Sequence, residues 1–416
     1  MSERDISRRG FLGGALASGG ALALAGCADD SEEAGAAGET AAPATEPEYI
    51  EFFGSHQTGV TTPAPAAGLM ASFDVFADDR EELEQAFRAL TVESRRLMLG
   101  EPYDERDDAY PALHAGTLGN PPPPADLSVV VSVGASLFDE RYGLVDRQPR
   151  ELVKMPFLAN DRLDPQQSHG DMLLSISADS PDVCVFALRQ LMRQTRGAFV
   201  LHWMIEGFNR RLQPAPGQAP ARNLLGFRDG TANLDPASDS LMDRYVWVRS
   251  GDGEPEWAVG GTYLAARIIR MFVEFWDRVP LSEQEAIIGR HKESGAPLDG
   301  EVETDVPDFA DDPGGDLTPL DAHIRLANPR TAETDENLIL RRGFSFSRGF
   351  DGAGRLDQGL AFVSFQRSLE NGFLAVQERL DGEPLEEYIL PVGGGFFDVL
   401  PGVEDESGYL GESLLS

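Results

Sequence analysis

Six histidines (His56, His114, His169, His202, His291 and His323) and two cysteines (Cys27 and Cys184) are the side chains of this 416-residue chain best suited to grip a metal or attack a substrate. Their spacing excludes several chemistries. No histidine pair follows H-x-x-x-H or H-E-x-x-H, so two imidazoles do not share one helix face as in a zincin. Two cysteines cannot build a disulfide framework or a Cys-based zinc or iron–sulfur centre. Cys184 falls in an apolar helical pattern and reads as a packed core thiol. There is no G-x-S-x-G elbow, no Walker loop and no G-x-G-x-x-G after a strand, so hydrolase, NTPase and dinucleotide chemistries lack their motifs.

Two segments carry chemistry instead. Gly226-Phe227-Arg228-Asp229-Gly230-Thr231-Ala232-Asn233 sets an acid between two glycines. Glycine there lets the backbone approach a ligand closely, and the turn would project Asp229. Read alone, an acid in such a turn ordinarily bonds its own backbone. The second segment runs from Asp321-Ala322-His323 through Asn328-Pro329-Arg330 to Glu336 and on to Arg341-Arg342-Gly343. A histidine followed by a carboxylate and by an arginine on a strand-like run can serve as metal ligand and electrostatic pair. Read alone, His323 is more often a surface or structural residue.

The elements that would hold these segments are legible in outline. Leu69 to Val75 alternates as a strand, and Asp78 with Glu81 signals a helix start. Strands follow at Val129–Val133 and Met172–Ile176. A helix opens at Ser180-Pro181, with proline at its first position, and a fourth strand spans Phe199–Ile205. The order βαββαβ is the ferredoxin-like pattern. A Pro-rich break from Arg211 to Ala221 (RLQPAPGQAPA) marks a boundary. Beyond it, Tyr245–Arg249, Thr262–Ile269 and Leu360–Gln366 read as strands. Phe272–Arg278, Ser282–Arg290 and Phe373–Leu380 read as helices, so the second half echoes the first. The acidic Pro297–Thr318 stretch reads as a surface loop lining an entrance.

The N-terminus reads as an address. Arg8-Arg9 precedes a short apolar stretch that ends Leu24-Ala25-Gly26-Cys27, similar to a twin-arginine signal closed by a bacterial lipobox. The expected organisation is therefore a signal over 1–27, a disordered acidic tether over 28–47, an N-terminal domain over 48–212 and a C-terminal domain over 222–416. Export by the twin-arginine route to the cell envelope, with a lipid anchor on Cys27, follows as an expectation; simple cleavage of the signal is the alternative. A formal charge of −35 leaves no basic stripe for nucleic acid. Only Lys154 and Lys292 are lysines, which fits either GC-rich coding or a salt-loving host.

Taken together, the chain resembles the dye-decolourising peroxidase family, in its exported, deferrochelatase-like branch. The resemblance is carried by EFFGSHQTG from Glu51, SVGASLFDERYGL from Ser132, MPFLANDRLDPQQSHGD from Met155, GFRDGTANL from Gly226, WAVGGTYLAARIIRM from Trp257, EQEAIIGRHKESGAPLDG from Glu283, HIRLANPR from His323, RRGFSFSRG from Arg341 and the closing GLAFVSFQRSLENGFLAVQERL.

The resemblance implies an α+β fold of two ferredoxin-like (βαββαβ) domains with antiparallel sheets. One haem b per chain would lie between sheet and helices of the C-terminal half. It implies His323 as the axial ligand, with Glu336 as the carboxylate hydrogen-bonded to its imidazole. Asp229 would shuttle a proton between peroxide oxygens, beside Arg341. Gly230, Thr231, Ala232, Asn328, Pro329 and Arg330 would touch the haem, Arg330 pairing with a propionate. Electrons from bulky donors would pass through surface aromatics, with Trp203, Trp247, Trp257, Trp276 and the tyrosines as candidates. The implied reaction reduces hydrogen peroxide at the expense of an unidentified one-electron donor. Haem-iron release in iron uptake, or a non-catalytic haem-binding role beside iron-import partner proteins, are the alternatives. Homo-oligomer formation is left open, and the membrane is met through a lipid anchor only.

Overall fold

Alternating residues from Ala67 to Val75 form strand β1, followed by helix α1 (Arg80–Leu99). Asp79 caps α1 by accepting a hydrogen bond from the Glu82 amide (2.9 Å), while Glu82 reaches back to the Asp78 amide. The capping pair thus sits one residue later than the Asp78–Glu81 pair the sequence suggests. Strands β2 (Ser128–Gly134) and β3 (Met172–Ala178), helix α2 (Pro181–Gln194) and strand β4 (Phe199–Phe208) complete the first half. The second half contains α3 (Asp239–Tyr245), β5 (Thr262–Met271), α4 (Val273–Trp276), α5 (Leu281–Ile288), α6 (His323–Ala327), β6 (Leu340–Arg341), β7 (Phe344–Phe350) and β8 (Leu356–Gln366). A π-helical turn over Glu370–Leu374 then runs into α7 (Ala375–Leu380), followed by β9 (Ile389–Val399) and α8 (Glu412–Leu415). This computed structural model describes residues 48–63, 66–210 and 221–416. The segments read as signal, lipobox and tether, and most of the Pro-rich break, lie outside the described residues. The described residues form one compact unit.

Strand pairing shows how the halves relate. In the first, β1 lies between β3 and β4, with β2 beyond β3. In the second, β5 lies between β8 and β9, with β7 beyond β8. Each half therefore has the strand order of a ferredoxin-like sheet, antiparallel throughout. Two seams join them: β2 pairs with β9 over Ser132–Gly134, and β4 meets β7 at Phe208 and Ser345. Eight strands thus close into a ring, and β6 continues the line of β7 along β8. Met70, Leu173, Trp203, Leu264, Phe344 and Phe397 fill the inside of the ring. On the outer face of the first half, Leu83, Phe87 and Phe186 of the helices pack on Leu69, Phe73, Val131 and Leu174.

Two sequence readings are corrected, and one buried acid stands apart. Tyr245–Arg249 is not a strand: Tyr245 ends α3, and Val248 exchanges two backbone hydrogen bonds with Gly260 and Gly261. The helix read from Phe373 to Leu380 begins as the π-helical turn. Asp398 on β9 is fully buried at the seam opposite Val133 and Tyr263, and neither carboxylate oxygen finds a partner. Burial, with the Glu254 charge adding to it, pushes its carboxyl well above the usual range.

Candidate active site

The outer face of β5 and β8 is covered differently. Short helices and turns stand off from it and leave a cavity of about 700 Å³, within the range for a cofactor-sized ligand. Arg267, Ile269 and Met271 of β5 and Leu360 and Phe362 of β8 form its sheet wall. Residues from α5, α6, the π-helical turn and α7 face them. The first half contributes a segment as well: Phe157 to Asp161 enters the lining, and Asp161 forms a fully buried ion pair with Arg267 of the second half.

His323 is the first residue of α6 and lines this cavity. Its Nδ1 lies 2.8 Å from Oε2 of Glu383, a buried carboxylate just past the turn that ends α7. An Nδ1–H donated to this carboxylate fixes the ring and leaves Nε2 as a lone-pair donor. Glu336 does not take this part. It lies half-exposed on a separate 3₁₀ turn and pairs with Arg244 at 2.6 Å. The partner is sixty residues from His323 in the chain, so no local spacing signals it.

Asp229 and Arg341 line the same cavity, as do Gly230, Thr231, Ala232, Asn328 and Arg330. Pro329 is not part of the lining. The Asp229 turn needs unusual backbone: Gly226 and Gly230 have φ of 88° and 84°, and Ala232 has φ of 56°. Arg330 has φ of 59°. Left-handed alanine and arginine are uncommon, and both here border the cavity. Asp229 accepts the Gly230 amide at 2.8 Å, the local bond expected of a turn acid, yet it still lines the cavity. Asn233 clamps β6 through two hydrogen bonds to the Arg341 backbone (2.8 and 2.9 Å), and the Arg341 guanidinium donates to the Thr231 carbonyl at 2.9 Å.

Three cations border the cavity without an ion pair among the described residues: Arg290, Arg330 and Arg341. Arg290 is buried and donates only to the Gly295 and Glu303 carbonyls. Burial, then the positive charge of Arg330 and the smaller influence of Arg341, draw its guanidinium below its ordinary value. A group bearing carboxylates would relieve this crowding of positive charge. A broad apolar slot, an imidazole nitrogen braced by a carboxylate and an unneutralised arginine cluster together fit a haem. Sequence reasoning missed Glu383, Arg290 and the Asp161–Arg267 pair. Arg290 falls in the quoted EQEAIIGRHKESGAPLDG stretch, Asp161 in MPFLANDRLDPQQSHGD and Arg267 in WAVGGTYLAARIIRM, where only the context of a fold distinguishes them from surface charge.

The four tryptophans are all buried, with 0–6 % exposure, so none is a surface aromatic. Trp203, Trp257 and Trp276 donate their indole N–H to backbone carbonyls, and Trp247 stacks on His56 with ring centroids 4.0 Å apart. Cys184 is a buried free thiol, as its pattern suggested.

Comparison with known proteins agrees with this geometry. Family models described as the N-terminal and C-terminal parts of Dyp-type peroxidase match residues 57–209 and 220–404. The chain is 47 % identical over 415 residues to a deferrochelatase of Shigella sonnei and to one of Escherichia coli O157:H7, covering 99 % of this chain and 97 % of each relative. Among solved structures, a DyP-type peroxidase from Cellulomonas bogoriensis superposes with a TM-score of 0.78 at 35 % identity, covering 88 % of this chain and 98 % of that one. An oxyferrous complex of DtpA from Streptomyces lividans gives the same score and identity over 89 % and 98 %. The protein belongs to the DyP-type peroxidase family: it is an oxidoreductase that acts on peroxide, with haem as its cofactor.

Proposed function

We propose that this chain reduces hydrogen peroxide at the cell envelope and draws electrons from small or surface-docked one-electron donors. The observation that carries the residue assignment is the His323–Glu383 pair in one cavity with Asp229 and Arg341. His323 would hold the cofactor iron through Nε2, with Glu383 keeping the proton on Nδ1 and making the imidazole a stronger donor. The haem supplies the redox-active iron. Asp229, as a carboxylate, takes a proton from one peroxide oxygen and returns it to the departing one. The Arg341 guanidinium stabilises negative charge on that departing oxygen. Arg290 and Arg330 would hold the acidic edge of the cofactor.

The test is an absorption spectrum of the haem-loaded protein before and after one equivalent of hydrogen peroxide, followed by donor oxidation. A rapid spectral change reversed by donor is expected; a spectrum indifferent to peroxide overturns the reading. The deferrochelatase relatives support a second reading, in which the same pocket releases iron from haem. It predicts iron-free porphyrin fluorescence as product, whereas the peroxidase reading predicts oxidised donor with the haem intact. The envelope location rests on the lipobox at Cys27. Cys27→Ser is expected to move the protein from the membrane to the soluble fraction, and continued membrane association would count against the anchor.

A further inference from the structure

The acidic loop after α5 is not merely a solvated edge. Several of its carboxylates serve their own backbone. Asp305 accepts from the amides of Glu301 (2.7 Å) and Val302 (2.9 Å), and Asp299 accepts from the Asp308 amide (2.7 Å). Glu303 faces the other way. Its Oε1 accepts from the Thr231 hydroxyl at 2.8 Å, and its Oε2 pairs with Arg228. Its backbone carbonyl accepts from Arg290 at 3.1 Å. Partial burial works against ionisation of Glu303, but the Arg228 and Thr231 hydrogen bonds outweigh it and hold the carboxyl below its usual range.

Arg228 and Thr231 bracket Asp229 in sequence, on a turn with left-handed backbone at Gly226, Gly230 and Ala232. Such a turn has few intrinsic restraints, because glycine gives up more conformational freedom than any other residue on ordering. The Thr231 carbonyl also receives the Arg341 guanidinium. One carboxylate therefore grips both sides of Asp229 and, through Thr231, reaches the residue beside it.

We propose that Glu303 is a positioning residue for peroxide chemistry, fixing the Asp229 turn by bridging Arg228 and Thr231. It is not part of the cavity lining. The proposal rests on Asp229 as the proton shuttle, and the test separates the two. In the full-length haem-loaded protein, the second-order rate of the peroxide-induced spectral change is measured by stopped flow for Glu303→Gln, Asp229→Asn and the double variant. Misplacing a reacting group by a fraction of an ångström to an ångström costs roughly ten- to a hundredfold. Glu303→Gln is expected to lose about tenfold in this rate, with the resting haem spectrum and the donor KM unchanged. In the Asp229→Asn background the same substitution should cost less than about twofold, because its effect passes through the group already removed.

An unchanged rate in Glu303→Gln, with Asp229→Asn slow, overturns the positioning role alone. A full tenfold loss added on top of Asp229→Asn overturns it too, since the effect would then be general to the pocket. An unchanged Asp229→Asn overturns the shuttle itself. Should Glu303→Gln bind haem poorly, Arg228→Gln removes the other end of the bridge and is expected to give the same loss, no worse in combination. A normal Arg228→Gln rate overturns the proposal.

Discussion

The two halves share a strand order and differ in what they lay on the outer face of the sheet. In the first, α1 and α2 are twenty and fourteen residues long and seat rows of apolar side chains directly on the strands. In the second, α5, α6 and α7 have eight, five and six residues, and a long loop separates α5 from α6. Short helices cannot press a continuous apolar stripe onto a sheet. They enclose a slot instead, and their ends and loops bring polar groups to its walls. The same scaffold thus yields a packed layer on one side and a cofactor pocket on the other, according to helix length.

Substitutions in the pocket should leave the packed half intact, and the largest effect sharpens that contrast most. His323→Ala is expected to abolish most haem binding, seen as loss of the Soret band, while far-UV circular dichroism stays near that of the parent. Loss of the fold along with the haem would mean the halves are not separable in this way. Arg341→Leu should keep the haem and slow the peroxide reaction by roughly a hundred- to a thousandfold.

Glu383→Gln is expected to shift the haem iron potential positive and to cost about tenfold or more in the peroxide rate. Glu336→Gln should change neither, because Glu336 is occupied with Arg244. Equal effects from both would break the assignment.

The smallest expected effect lies at the seam. Asp398 has its carboxyl raised in the folded protein by burial. Its neutral form is therefore the one the fold favours, and that contribution is full below the ordinary carboxyl range and lost as pH rises toward the raised value. Asp398→Asn should raise Tm at pH 8 by roughly 2–4 °C and leave it nearly unchanged at pH 4. A gain of equal size at both pH values would assign the effect to something other than charge.

The first half was readable because its periods are clean: apolar alternation in β1 and β4, helical spacing of Leu83, Phe87 and Leu90, and Pro181 opening α2. In the second half the signals blur where the pocket interrupts them. Strand β9 carries Pro391 and three consecutive glycines, residues that weaken any strand pattern, yet it bonds to both β5 and β2. Val246, Trp247 and Val248 look like a strand because they are buried, but their backbone serves a turn. Asp229, Arg341 and His323 stood out only through the family resemblance their segments carry. Glu383 was not, because only the turn after α7 brings it to α6. Glu303 was hidden among acids that fold back on their own loop.

The segment Phe157–Asp161 gives the first half a share in the pocket, and Asp161 reaches across to Arg267. Neither half alone can offer the cofactor a finished berth. Since a ligand stabilises whatever conformation completes its site, haem capture doubles as a proofreading step on the whole polypeptide: a molecule whose first half has gone astray would stay colourless.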